Sequence, residues 1–192
     1  MQIDLPPHLQ ERVVCSIAAA VKYGIPANIL LAVAEKEGGK AGQWVRNANG
    51  TYDVGPLQFN TAYLRQLSRY GITPVDVASS GCYPYQLAAW RLRQHIKHDA
   101  SDLWTRCANY HSRSPAFNAR YREDLIRKSA KWADWLRLRY PPQGSSEVAW
   151  VAPKAPLCNS SSCSQFDSHQ ARSGKLMKPS YVPRTLIRPP KP

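Results

Sequence analysis

The chain has 192 residues, 43% of them apolar, enough for one well-buried domain and small for two. No run of about 18 apolar residues occurs, which rules out a transmembrane helix, and Met1 to Pro7 carry neither Lys, Arg nor an apolar stretch, so no secretory signal is visible. A formal charge of +13, from 26 Lys plus Arg against 13 Asp plus Glu, favours polyanionic partners without choosing among nucleic acid, membrane and cell envelope.

Pro6 and Pro7 suit a helix start, where a missing N–H costs little. Val13, Val14, Ile17, Ala18 and Val21 then recur at the helical period, which predicts a first helix stopped by Gly24. Pro26 opens a second that runs to about Glu37 and ends at Gly38-Gly39. Residues 40–60 read as irregular, with Asn49-Gly50 a turn suited to joining two very short strands. Asn60 or Thr61 can cap a helix to about Tyr70, closed by Gly71. Further helices fit residues 84–98, 101–111 and 116–139, the last carrying Tyr121, Leu125, Trp132 and Leu136 on one stripe.

The expected architecture is therefore a mainly α domain over residues 1–140. Residues 141–192 are rich in Pro and Ser, net basic and poor in periodic apolar residues, and read as a disordered tail: a solvated end, or a basic tether. Five cysteines, at 15, 82, 107, 158 and 163, leave at least one unpaired within the chain. Cys158 and Cys163 lack the partnering His pair of a zinc site. His95, His98 and Asp99 read as the solvated surface of a basic helix. No metal and no cofactor is expected, and no phosphate-cradling Gly-rich motif is present.

Glu37 is the residue that does not fit its surroundings. At 100° per residue Ile29, Leu30, Val33 and Ala34 form one apolar face, and Glu37 falls near its centre. Glu35 falls on the other side and reads as solvated. A carboxylate on a core-facing stripe is costly when ionised, so its pKa should rise. The negative end of the helix dipole pushes the same way. Such a group suits general-acid work on a glycosidic oxygen. A buried Glu bonded to backbone or paired with an Arg is an equally open reading. Gly38 and Gly39 leave space beside the carboxylate for a bulky ligand.

Two further segments carry chemistry. In Tyr52-Asp53-Val54-Gly55-Pro56-Leu57-Gln58-Phe59-Asn60, Gly55 permits a tight backbone, and Gln58 and Asn60 offer amides suited to sugar or acetamide groups. In Ala108-Asn109-Tyr110-His111-Ser112, a Tyr hydroxyl near a carboxylate can orient it.

In this order the three segments resemble the lytic transglycosylase domain, which has the lysozyme-like fold. Leu31 to Glu37 look like its catalytic helix, Gly55-Pro56-Leu57-Gln58 its Gly-Leu-Met-Gln-type segment, and Asn109-Tyr110-His111-Ser112 its Ala-Tyr-Asn-type segment. The resemblance spans roughly residues 12–138 and is closest to the small transglycosylases of conjugation, type IV secretion and pilus systems, through Tyr23-Gly24-Ile25-Pro26, Asn47 to Gly55 and Tyr70-Gly71-Ile72. Gly38 stands where the family usually has Ser, Pro56-Leu57 where it has Leu-Met, and His111 where it has Asn.

The resemblance implies cleavage of the β-1,4 bond between N-acetylmuramic acid and N-acetylglucosamine in peptidoglycan, with formation of a 1,6-anhydro sugar. It implies Glu37 as the single catalytic acid, Gln58, Asn60, Gly55 and Tyr110 at the substrate, and Tyr110 as the group that orients Glu37. Asp53 is expected to be structural, accepting loop N–H bonds, and the helix stripe of Tyr121 favours core packing over its alternative, a place in the cleft lining. A hydrolytic muramidase and a non-catalytic glycan-binding scaffold are the alternatives. Members of this subgroup carry a Cys in the first helix and one before the fourth, which implies a Cys15–Cys82 disulfide and an oxidising periplasm; Cys107 is an alternative mate. The implied partners are glycan strands and proteins of a secretion or conjugation apparatus. The protein is expected to act as a monomer, and nucleic acid, supported by charge alone, is not expected.

Overall fold

The computed structural model describes residues 5–140. The tail read into residues 141–192, with Cys158 and Cys163, lies outside the described residues. In chain order the elements are α1 (Pro7–Tyr23), α2 (Ala27–Glu37), β1 (Trp44–Arg46), β2 (Tyr52–Val54), β3 (Phe59–Asn60), α3 (Thr61–Leu67) with a 3-10 turn at Ser68–Tyr70, α4 (Pro74–Ala78), α5 (Tyr83–His98), α6 (Leu103–Ala108) and α7 (Pro115–Arg139). The fold is mainly α with one small antiparallel sheet in the order β1-β2-β3. Among the described residues no helix is long and apolar enough to cross a membrane.

Local chemistry sets most boundaries. Gly24 ends α1 in the left-handed region at φ 59°, its N–H returning to Ala20 O and Val21 O. Gly38 ends α2 in the same way at φ 61°. Asn60 caps α3 by accepting from the Ala62 N–H at 2.9 Å. The hairpin pairs Trp44 with Val54 and Arg46 with Tyr52, and β3 adds Phe59 opposite Val54. That third strand is only two residues long and lay inside the segment read as irregular. The helix α4 was also missed. Five residues are too few to show a period, and a capping box holds it: the Thr73 N–H donates to Asp76 Oδ2 at 2.7 Å, and the Asp76 N–H to Thr73 Oγ1 at 3.3 Å.

The core forms around α2. Every residue from Ala27 to Ala34 is buried, and the helix packs chiefly against α7 and α1 and touches α5. It is a helix covered all round rather than an amphipathic one. Asn28 Nδ2 donates to Ser129 Oγ at 2.8 Å, a satisfied polar pin between α2 and α7 in the interior. Val54, Leu57 and Phe59 carry the sheet and its loop into the same core.

The face of α1 differs from the expected stripe. Val13, Ser16, Ala19 and Ala20 are buried, while Val14 and Val21 are 51% and 62% exposed. Small side chains let α1 approach α2 and α5 closely, and Cys15 is bonded to Cys82 at the start of α5, with Cα atoms 4.8 Å apart. A covalent tie and close packing outweigh the burial of two valines, each about 1.5–3 kcal/mol at most. Cys107 is free and buried, and burial pushes its thiol up to about 12.

Candidate active site

Glu37 is the last residue of α2 and is half-buried. The Tyr121 hydroxyl, from α7, donates to its Oε1 at 2.7 Å. Among the described residues no cation forms an ion pair with it. Burial drives the Glu37 pKa up to about 7, the Asp53 charge adds to the rise, and the Tyr121 hydrogen bond and the charges of Arg91 and Lys36 only partly oppose it. Burial and the neighbouring Glu37 push the Tyr121 hydroxyl well above its usual range, so it stays a donor. The His111 ring stacks on Tyr121 with centroids 4.8 Å apart and 4° between planes, which fixes the phenol from its exposed side.

The other carboxylate of α2 has the opposite fate. Glu35 is not solvated: it accepts from Lys128 at 2.9 Å, from Lys131 at 2.8 Å and from Trp132 Nε1 at 2.7 Å, all on α7. Burial alone would raise its pKa, but the Lys131, Lys128 and Trp132 bonds together outweigh that and hold it below its usual value. Two residues apart on one helix, one acid has its pKa lowered and the other has it raised to about 7. Environment alone can push two like carboxyls apart in this way.

Tyr110 does not orient Glu37. It is buried, its hydroxyl donates to Leu57 O at 3.2 Å, and its ring meets Phe59 edge-on with centroids 6.3 Å apart. It holds the loop, and Tyr121 holds the acid. Tyr121 is buried, as its stripe position implies, but a buried phenol still needs a partner for its hydroxyl, and that requirement is the signal the sequence carries.

Gln58 lies beside the end of α2. Its backbone has φ 47°, and its Nε2 donates to Gly55 O at 2.8 Å. A Cβ on Gly39 would stand 2.6 Å from that Nε2 and 2.2 Å from Gly55 O. The space that Gly39 opens is thus filled by the loop rather than left to a ligand. Gln58 keeps its Oε1 and one amide hydrogen for other partners. Gly55 does not keep any such group: its N–H donates to Gln43 O, its carbonyl accepts from the Gln58 N–H and from Gln58 Nε2, and its Cα sits where a Cβ would meet Val77 O at 2.0 Å. Asn60 is also spent, giving its amide hydrogens to Thr51 Oγ1 and Asp53 Oδ1. Both residues build the loop, which departs from the substrate contacts expected of them. Asp53 takes its bond from the Asn60 side chain, and its charge acts on both Glu37 and His111.

A pocket of about 480 Å³ opens next to this cluster, lined among others by Tyr63, Trp90, Arg91, His95, His111 and Arg113. Glu37 is not part of its wall. Arg91 and His111 connect the two, because the Arg91 charge acts on Glu37 and His111 stacks on the phenol that holds it. Arg91 had not been singled out; a cation on an amphipathic helix carries no signal in sequence alone. His95, expected as surface, is paired through Nδ1 with Asp99 at 2.7 Å.

No family model matches the chain. It is similar to Protein IpgF of Shigella flexneri, 34% identical over 91 residues, and this match covers 47% of the chain and 59% of that protein, under two thirds of its length.

Proposed function

We propose that the protein is a peptidoglycan lytic transglycosylase with Glu37 as its acid and base. The observation that carries the reading is the Glu37 carboxyl: half-buried, bonded by Tyr121, free of a paired cation, and with a pKa near 7. A protonated Glu37 gives its proton to the oxygen leaving N-acetylmuramic acid C1, and the C1–O4 bond breaks. The carboxylate then takes the proton of the 6-hydroxyl of the same sugar as O6 closes onto C1. Glu37 ends protonated, no water is consumed, and nucleophile and electrophile share one ring, which favours closure by proximity.

The substrate, the lysozyme-like fold and the link to a secretion or conjugation apparatus come from the family resemblance. A disulfide suits an oxidising compartment such as the periplasm, and the +13 charge suits an acidic envelope. A second reading, a hydrolytic muramidase, is favoured by one observation: the Asp53 charge reaches Glu37, as the second carboxylate of a hydrolase would.

Digestion of purified sacculi with wild-type and Glu37→Gln protein tests both readings. The wild type should release 1,6-anhydro muropeptides, and the variant should lose about 10²–10⁴-fold of the rate. Reducing-end products, heavier by one water, would identify a muramidase. Unchanged release by the variant removes Glu37 from the mechanism.

A further inference from the structure

The pocket next to Glu37 contains a cation to which no described residue offers an acceptor. Two arginines line it. Arg113 is exposed and spends its charge on Asp99 at 2.8 Å. Arg91, on α5, is half-buried, and among the described residues it has neither a carboxylate partner nor a hydrogen-bond acceptor. Its guanidinium lies over two rings, 4.3 Å from the Tyr63 centroid and 4.6 Å from that of Tyr110. Those contacts offset part of the cost of desolvating the charge. They use none of its five N–H donors, which makes a donor array of fixed geometry.

Part of the pocket wall is braced before any ligand arrives. Asp99 accepts from His95, from Asn109 Nδ2 at 2.8 Å and from Arg113. A carboxylate only accepts, so His95 carries its proton on Nδ1. Asn109 in turn accepts from Asn118 Nδ2 at 2.8 Å, which ties the wall to α7. Three lining residues thus hang on one acid, and little ordering is left to binding. Trp90 and Tyr63 add apolar faces.

A planar donor fork between aromatic rings asks for a planar anion on a partly apolar carrier, that is, a carboxylate on a peptide. Peptidoglycan supplies one, because its muramic acid carries a short peptide with free carboxylates. We propose that this pocket recognises a carboxylate of the peptide stem through Arg91, so that the protein prefers stem-bearing glycan to naked glycan. This inference rests on the peptidoglycan reading above.

Calorimetry on the full chain tests it with three soluble ligands: a disaccharide-tetrapeptide, the same disaccharide without its peptide, and the disaccharide-tetrapeptide with its carboxylates amidated. The acidic stem should tighten binding about tenfold or more, the scale of a charge-assisted bond. Amidation should abolish the gain, Arg91→Gln should erase the preference, and Arg91→Lys, which keeps charge but not the fork, should retain part of it. Equal binding of stem-bearing and naked sugar, or a preference that survives Arg91→Gln or amidation, overturns the proposal. The amidated ligand needs no variant, so a misfolded Arg91→Gln does not rescue it. Binding of none of the three also overturns it. Release of 1,6-anhydro products from sacculi then decides separately whether the peptidoglycan reading stands.

Discussion

Burial raises the Glu37 pKa, and that has a stability consequence. Its folded pKa of about 7 lies above the ordinary 4.5, so the native state binds the proton more tightly than the unfolded chain does. Stability therefore falls as pH rises from 4.5 to 7, and the whole penalty is present above 7. Glu37→Gln keeps an acceptor for Tyr121 and removes the charge. It should stabilise the protein at pH 8 by roughly 3 kcal/mol, with the gain vanishing towards pH 4, as read from urea unfolding at both values. An equal effect at both pH values contradicts a raised pKa. Tyr121→Phe acts on the same atom. The lost hydrogen bond had favoured the ionised form, so the alkaline limb of the pH–rate profile should move to higher pH. Poorer aim of the acid should lower kcat by roughly 10- to 100-fold. Were Tyr110→Phe to move the limb and Tyr121→Phe not, the assignment of the two phenols would be reversed.

At the scale of elements, α2 and the loop between β2 and β3 pack as one unit around Glu37. The helix is fixed on all sides, pinned inside by Asn28 and Ser129 and outside by the bond Glu35 accepts from Lys128 of α7 and by the Lys36–Asp124 ion pair at 2.7 Å. Burial alone would raise the Asp124 pKa, but the Lys36 and Arg127 bonds outweigh it and hold it at about 2. The loop touches the end of α2 through Gly39, where a Cβ would meet backbone at 2.2 Å. Backbone cannot step aside cheaply. Gly39→Ala should cost about 1–3 kcal/mol and displace Gln58 relative to Glu37, lowering kcat/KM. Gly24→Ala is the control, since its φ of 59° makes Ala strained but no atom lies within 4 Å of the new Cβ. It should cost about 1–2 kcal/mol in unfolding and leave kcat/KM at 25 °C unchanged. Equal activity in both variants would mean that the loop position does not matter to the reaction.

Across the whole molecule, the Cys15–Cys82 bond closes a sequence separation of 67 residues and ties α1 to the start of α5. A closed loop of that length restricts the unfolded chain strongly, so Cys15→Ser with Cys82→Ser should lower stability by about 2–4 kcal/mol. Thermal unfolding with and without reductant measures it. Reductant should lower the Tm of the wild type by more than that of the double variant, since among the described residues Cys107 has no disulfide to lose. A wild-type Tm indifferent to reductant would show that the bond contributes nothing.

Helix ends were readable in the chain because Pro and Gly act on their own backbone. Gly24, Pro26, Gly38 and Gly71 cap or open elements without help from distant residues. Glu37 was visible as an acid in apolar company for the same local reason. The buried side of α1, the pairing of Glu35 and the choice of Tyr121 over Tyr110 were not readable. Each depends on α7 or α5 arriving from far along the chain: Tyr121 lies 84 residues from Glu37, and Lys128 93 from Glu35. A helical period tells which residues share a face, and it is blind to what comes to cover that face. Where α2 is covered on every side, its two carboxylates are sorted by their neighbours: cations and an indole NH hold one below its usual pKa, and burial in a dry corner raises the other against the pull of its phenol donor.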